Sequence, residues 1–327
     1  MTVGPVPIAA AIRADDTSQH GVSFVVPVFN KERQLPPVLE ALAAQDGDFE
    51  REYIFVDDGS TDGSARIIKE MTQDWENVHL IRQPNGGSAN ATNTGLAHAR
   101  LPLVKFLDAD DLLARDATQH LRDALVADPQ AALAYGGRRF FRPGERPSLA
   151  PLPHAPAIER LDDPLTPAIR NSMFNPTQFM SRTDLCRKAG GCDERVVFSQ
   201  EYSLTLRLAR HGPFLRLDYS LAFLLDEEEN RLSNDKPRQL QRVTRALRHF
   251  LEDYPDLPAQ YRRLACRRAG GRAWRYARRT HRAGPASPWF GLHLKSLVGG
   301  GRDQAGFIAA CEAVYDQTAT SPGMPSE

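Results

Sequence analysis

Several features that would quickly classify a soluble chain are scarce or missing. Only four cysteines occur in 327 residues (Cys186, Cys192, Cys266, Cys311), none in a C-x-x-C pair. That argues against a zinc site or a disulfide framework and leaves a reducing compartment as the default. No run of eighteen apolar residues exists, and the longest stretches, such as Leu221–Leu225, are strand-sized, so no spanning helix is expected. The first residues carry no charge ahead of a weak Ala-rich run and Arg13. Residues 1–20 therefore read as a flexible tail and not as a signal peptide. Net charge is absent too, with 41 Lys+Arg against 41 Asp+Glu, which disfavours a nucleic-acid binder acting through its whole surface. Gly86-Gly87 lacks the spacing of a Walker loop, no G-x-G-x-x-G follows the first apolar strand, and no G-x-S-x-G elbow occurs. ATPase, dehydrogenase and esterase readings fall together.

What is present is a strand–helix alternation. Residues 22–28 (VSFVVPV) form a β-branched run, followed by helical spacing at Leu35, Val38, Leu39 and Leu42; Pro36 and Pro37 fit only the first turn of that helix. Strands are predicted at 53–56, 78–81 and 103–107, with helices around 67–71 and 89–99 between them. This spacing implies right-handed βαβ units and a largely parallel sheet, which binds ligands beyond the carboxyl ends of its strands. Two acidic clusters fall at such ends: Asp57-Asp58, and Asp108-Ala109-Asp110-Asp111. Three carboxylates in four residues repel one another and raise one another's pKa values unless a hard divalent cation such as Mg²⁺ or Mn²⁺ intervenes. Taken alone, each cluster equally suits a turn that caps the next helix.

The strings SFVVPVFNKE, FEREYIFVDDGSTDGS, NGGSANATNTGLA and VKFLDADD, in that order over residues 22–111, resemble the inverting glycosyltransferases of family 2. Residues 175–194 (NPTQFMSRTDLCRKAGGCDE) are similar to the family's acceptor-side segment, and 199–212 to its base-bearing helix. The resemblance implies a GT-A, Rossmann-like α/β domain over 21–235, with a mostly parallel sheet flanked by helices. It implies transfer of a sugar from a nucleotide-diphosphate donor, of UDP-sugar type, to an acceptor hydroxyl in cell-surface polysaccharide or glycolipid synthesis. It also places Pro27, Phe29, Glu32, Asp57, Asp58, Asp108 and Ala109 on the nucleotide sugar, Asp108 and Asp110 on a Mg²⁺ or Mn²⁺ ion, and Glu201 as general base. A rival from another class is a catalytically idle nucleotide-sugar-binding scaffold or regulator. Its support lies in Gln200, which replaces the first acid of the base pair, and in the altered stretch at 226–233; Thr92 before Asn93 and Ser203 where an Asp is common are further departures from the family pattern.

Seven prolines between Pro143 and Pro167 argue for an irregular loop, either a lid over the donor or an inert excursion. Beyond it the character of the chain changes. Residues 236–327 carry sixteen Lys and Arg against seven Asp and Glu, a net of +9 that cancels −9 in residues 1–235. Nine arginines lie between Arg262 and Arg282 with no acid among them, alongside Tyr261, Trp274 and Tyr276 and ahead of Trp289, Phe290, Leu292, Leu294 and Leu297. A basic α-helical region over 236–317 is expected, with a disordered tail at 318–327. Residues 260–300 suit peripheral contact with an anionic membrane, on the inner face of a cytoplasmic enzyme's membrane, or a phosphate-bearing lipid acceptor. Nucleic acid is a second possible partner, and arginines paired with the acidic domain are the plainer alternative.

Overall fold

The computed structural model describes residues 20–196, 200–226 and 236–319. The expected tail at 1–20 falls almost wholly outside these residues, as do most of 318–327 and the acidic stretch from 227 on. In chain order the elements are β1 (Val22–Val28), α1 (Leu35–Ala43), β2 (Arg51–Asp57), α2 (Ser64–Met71), β3 (Val78–Arg82), α3 (Ser88–His98), β4 (Leu103–Phe106), β5 (Leu112–Leu113), α4 (Ala117–Ala127), β6 (Leu133–Phe141) and β7 (Ile158–Leu161). There follow α5 (Leu165–Arg170), β8 (Phe179–Arg182), α6 (Thr183–Lys188), α7 (Gln200–Leu208), β9 (Phe214–Leu225), α8 (Lys236–Asp253), α9 (Ala259–Thr280), α10 (Pro288–Leu297) and α11 (Gln304–Glu312). They divide into two units. The first holds the described residues up to Pro164 and from Met173 to 226; the second holds Leu165–Ser172 and the described residues from 236 on.

In the first unit the sheet runs β3-β2-β1-β4-β8-β6-β9-β5, with β7 paired to β9. β1 lies parallel to β2 from Val22↔Arg51 to Val28↔Asp57, and parallel to β4 from Val22↔Leu103 to Val25↔Phe106. The chain works outward from β1 to β3 and then returns to β1's other side. The carboxyl ends of β1 and β4 therefore form a topological switch point, where such sheets hold ligands. Apolar side chains on β1, β2 and β4 are buried on both faces of the sheet, as parallel strands require. α3 packs tightly enough that a Cβ on Gly95 would come within 2.3 Å of Val25 Cγ1. The first turn of α1 holds Pro36 and Pro37, where no amide donor is needed.

The proline-rich stretch is less irregular than its composition suggests. β7 forms at the edge, antiparallel to β9 from Ile158↔Leu217 to Leu161↔Phe214. Its residues sit between Pro156 and Pro164, so no ladder amide is missing. Pro167 lies in the first turn of α5, where its missing donor costs nothing.

The second unit is helical. α9 lies against α10 so closely that a Cβ on Gly270 would meet Ser296 Cβ at 2.5 Å. Cys266, Ala269, Ala273 and Ala277 of α9 are fully buried, as are Ile308 and Cys311 of α11. Among the described residues no helix is long and apolar enough to cross a membrane.

Candidate active site

The loops after β1 and β4 meet at the switch point. Asn30, just beyond β1, takes a left-handed φ of 51°, a conformation Asn tolerates better than most side chains. Its amide donates to Ser60 Oγ (3.0 Å) and its Oδ1 accepts from Thr61 N (2.9 Å). The next residue, Lys31, is thereby turned toward the second loop, where its Nζ lies 2.5 Å from Asp110 Oδ2.

Beneath that contact Asp111 is buried. It accepts from Thr177 Oγ1 (2.7 Å) and from the amide of Leu225 (3.3 Å). Thr177 Oγ1 also accepts from the Asp108 amide (3.2 Å), so one hydroxyl holds both ends of the acidic turn. Lys105, fully buried in β4, donates to the carbonyls of Thr177 (2.6 Å) and Phe106 (2.7 Å). Burial brings its pKa down to about 7, against the pull of Asp108 and Asp111. Burial likewise pushes Asp111 up to about 7, helped by Asp110, while Thr177, the Leu225 amide and Lys31 oppose the rise.

Asp108 is half-buried, and its carboxylate accepts no hydrogen bond among the described residues. Burial, then Asp111, Asp110 and Glu201, push its pKa well above the usual carboxylate range, and Lys31 opposes them. Glu201 sits in the first turn of α7, 93 residues further along the chain, yet its charge reaches Asp108. Burial raises its own pKa to about 7, with its own backbone amide opposing the rise. The turn that leads toward α7 is held by α3. Asn93 donates to the Cys192 carbonyl (3.0 Å) and accepts from the Cys192 amide (2.8 Å). Ser203, where the resemblance would put an acid, accepts from the Asp193 amide (3.0 Å). That departure has a structural use.

The expected nucleotide-side residues occupy the neighbouring strand ends. Asp57 is fully buried, accepting from the Ser60 amide (2.9 Å) and from Arg82 Nε (2.8 Å). Asp58 accepts from Gln83 Nε2 and from the amides of Gly86 and Gly87, at 2.8–2.9 Å. Phe29 is exposed at 47%, while Pro27 lies within β1, paired with Val56. Glu32 accepts from the Gly63 amide (3.0 Å) and lies 3.7 Å from Arg66. Ala109 is a core residue. Sequence reasoning gave no role to Lys31, Lys105 or Thr177. The one available signal was a lysine inside the otherwise apolar β4, VKFL.

The family model for glycosyl transferase family 2 matches residues 23–189, just over half of the chain. The chain belongs to glycosyl transferase family 2. A dolichyl-phosphate beta-glucosyltransferase (ALG5D) of Trichomonas vaginalis is 38% identical over 103 residues, 29% of this chain and 32% of that protein. The match thus spans about a third of that relative's length. Among solved structures, S. aureus TarS 1-349 in complex with UDP-GlcNAc aligns with a TM-score of 0.65 at 18% identity, covering 91% of each chain. The mannosyltransferase PcManGT of Pyrobaculum calidifontis, in complex with GDP-Man and Mn²⁺, aligns with a TM-score of 0.55 at 19% identity, covering 91% of this chain and 85% of that one. At these identities the likeness is one of fold, and the family 2 chain has the GT-A fold.

Proposed function

We propose that this family 2 chain transfers a sugar from a nucleotide-diphosphate donor, a UDP-sugar in the first instance, to an acceptor hydroxyl with inversion. The observation that carries the reading is the pairing of an acidic turn, Asp108 to Asp111, directly after β4 with a carboxylate, Glu201, whose charge acts on Asp108. Residues 93 apart meet there electrostatically, and burial lifts the carboxyl of Glu201 to about 7. A carboxylate of that basicity suits general-base work near neutral pH. In this reading Glu201 takes the proton of the acceptor hydroxyl as its oxygen attacks the anomeric carbon. The bond to the diphosphate oxygen breaks on the opposite face, and its electron pair leaves with the nucleotide.

The crowded carboxylates suit a hard divalent cation, Mg²⁺ or Mn²⁺. Asp108, with no hydrogen bond to its carboxylate from the described residues, and Asp110, paired with Lys31, are the residues that would bind it. No group of three His, Cys, Asp or Glu side chains among the described residues is arranged to hold an ion alone, so diphosphate oxygens and water would complete the shell. When bound, such an ion supplies positive charge for the departing diphosphate. Phe29, Pro27, Asp57 and Asp58 border the place proposed for the base and ribose, and Glu32 acts there by fixing the loops after β1 and β2. Ala109 contributes backbone alone, its methyl group being committed to the core. The acceptor proposed is a saccharide or a lipid-linked saccharide, in keeping with a dolichyl-phosphate glucosyltransferase among the relatives.

The test is nucleotide release from a panel of sugar nucleotides with Mg²⁺ or Mn²⁺ and candidate acceptors. Metal-dependent release that disappears in Asp110→Ala and Glu201→Gln is expected. Full turnover in both variants with a true acceptor would overturn the site, and tight donor binding without transfer to any acceptor would favour the scaffold reading.

A further inference from the structure

The helical unit carries an exposed apolar ridge beside a face of exposed arginines. Among the described residues few large apolar side chains are exposed, and three of them fall within five positions: Leu294 (49%), Leu297 (47%) and Val298 (83%). They lie at the end of α10, where Gly299, Gly300 and Gly301 all take positive φ (96°, 81° and 95°) and turn the chain sharply back. Only glycine adopts three such residues in succession without strain, so Val298 is left at the apex of a fixed turn.

Arginines of α9 flank this ridge. Arg267 Nη2 reaches the Leu297 carbonyl at 3.5 Å, and the Arg263 stem lies where a Cβ on Gly299 would come within 3.1 Å of its Cγ. Arg275, Arg278 and Arg279 continue the same exposed side of α9, opposite its buried alanines. None of these five has an acidic partner among the described residues, whereas Arg245 and Arg248 pair with Glu312 and Arg248 also with Glu252.

Two of the aromatic side chains expected to interleave with these arginines pack within the unit. Trp274 packs on Phe290 with centroids 5.1 Å apart, and Tyr276 on Tyr315 at 5.0 Å. Trp274 and Tyr276 are thereby engaged within the unit and not set out as stacking platforms for single-stranded nucleic acid. What this face offers is exposed aliphatic side chains with Arg263 and Arg267 beside them, which matches the acyl boundary and phosphate layer of an anionic bilayer.

We propose that the α9–α10 face of the helical unit seats peripherally on an anionic lipid surface, with Leu294, Leu297 and Val298 entering the headgroup–acyl boundary and Arg263 and Arg267 on lipid phosphates. The proposal stands apart from the donor site, so either can fail without the other.

The test is flotation of the full chain with phosphatidylcholine vesicles, with and without phosphatidylglycerol. Binding to the anionic vesicles is expected, falling about tenfold or more between low and high salt as lipid phosphates are screened. The triple substitution Leu294→Ser, Leu297→Ser, Val298→Ser is expected to lower partitioning by about tenfold or more, through lost apolar insertion. Arg263→Gln with Arg267→Gln should weaken it on anionic vesicles alone. All these positions are exposed, and an unchanged circular dichroism spectrum and nucleotide-release rate would show the variants intact. Equal binding to neutral vesicles, binding indifferent to both variants, or no binding would overturn the proposal. So would self-association lost in the triple variant, or displacement from vesicles of wild type and variants alike by an oligonucleotide.

Discussion

Replacing Glu201 by Gln should abolish turnover and stabilise the protein at the same time. The carboxyl of Glu201 is raised from an ordinary 4.5 to about 7, chiefly by burial. A carboxyl raised in the folded state contributes stability at pH values below its unfolded pKa and loses it as pH rises through the folded value. At 1.36 kcal/mol per pKa unit the loss is about 3 kcal/mol, and partial exposure of the side chain reduces it to about 1–3 kcal/mol. Gln keeps the shape and carries no charge, so Glu201→Gln should be more stable than wild type by about that amount at pH 8 and much less so at pH 5. Loss of a general base should cost about 10²–10⁴-fold in kcat. Urea unfolding at the two pH values, beside nucleotide release with saturating donor and acceptor, reads both effects. The wild-type rate should also fall on the acid side with an apparent pKa near 7. A variant that keeps its rate, or that is less stable than wild type at pH 8, would refute the assignment.

Other outcomes follow from the same geometry. Lys105→Met leaves the Phe106 and Thr177 carbonyls without their buried donor, at about 1–3 kcal/mol for each unsatisfied group, and a lowered urea midpoint with slower turnover should result. Thr177→Val should loosen Asp108 and Asp111 together, costing about 1–3 kcal/mol and reducing kcat more than it raises the donor KM. Lys31→Met removes the cation 2.5 Å from Asp110; Mn²⁺ binding without donor, followed by calorimetry, should tighten by about tenfold. Gly95→Val would drive a side chain into Val25, with an expected loss of about 1–3 kcal/mol in urea unfolding.

The first four strands were legible because each is a short β-branched or aromatic run set between helical spacings, and their order alone implies the switch point between β1 and β4. The acidic turn at 108–111 was legible for the same reason, since it follows an apolar strand directly. What holds that turn was not. Thr177 stands 66 residues beyond Asp111, in a segment whose pairing with β4 and β6 is antiparallel and non-local, and nothing in its own neighbourhood marks it. Lys105 is a lone lysine in an apolar strand, and only the folded sheet shows that its ammonium bonds two carbonyls in the interior. Edge strand β7 escaped notice because prolines surround it without entering it. In the basic region the charge pattern was plain in the sequence. Whether its aromatic side chains faced inward depended on the packing of α9 with α10 and with Tyr315, which periodicity does not encode.

The central claim is that Asp108 and Asp110 bind a divalent cation together with the donor's diphosphate. Calorimetric titration of UDP into the full chain tests it most directly, with Mn²⁺ and with EDTA, in wild type and in Asp108→Asn. Binding that needs Mn²⁺ and weakens by about tenfold or more in the variant is the outcome expected when a diphosphate shares an ion with this carboxylate. Equal affinity in EDTA, or in Asp108→Asn with Mn²⁺, would contradict it.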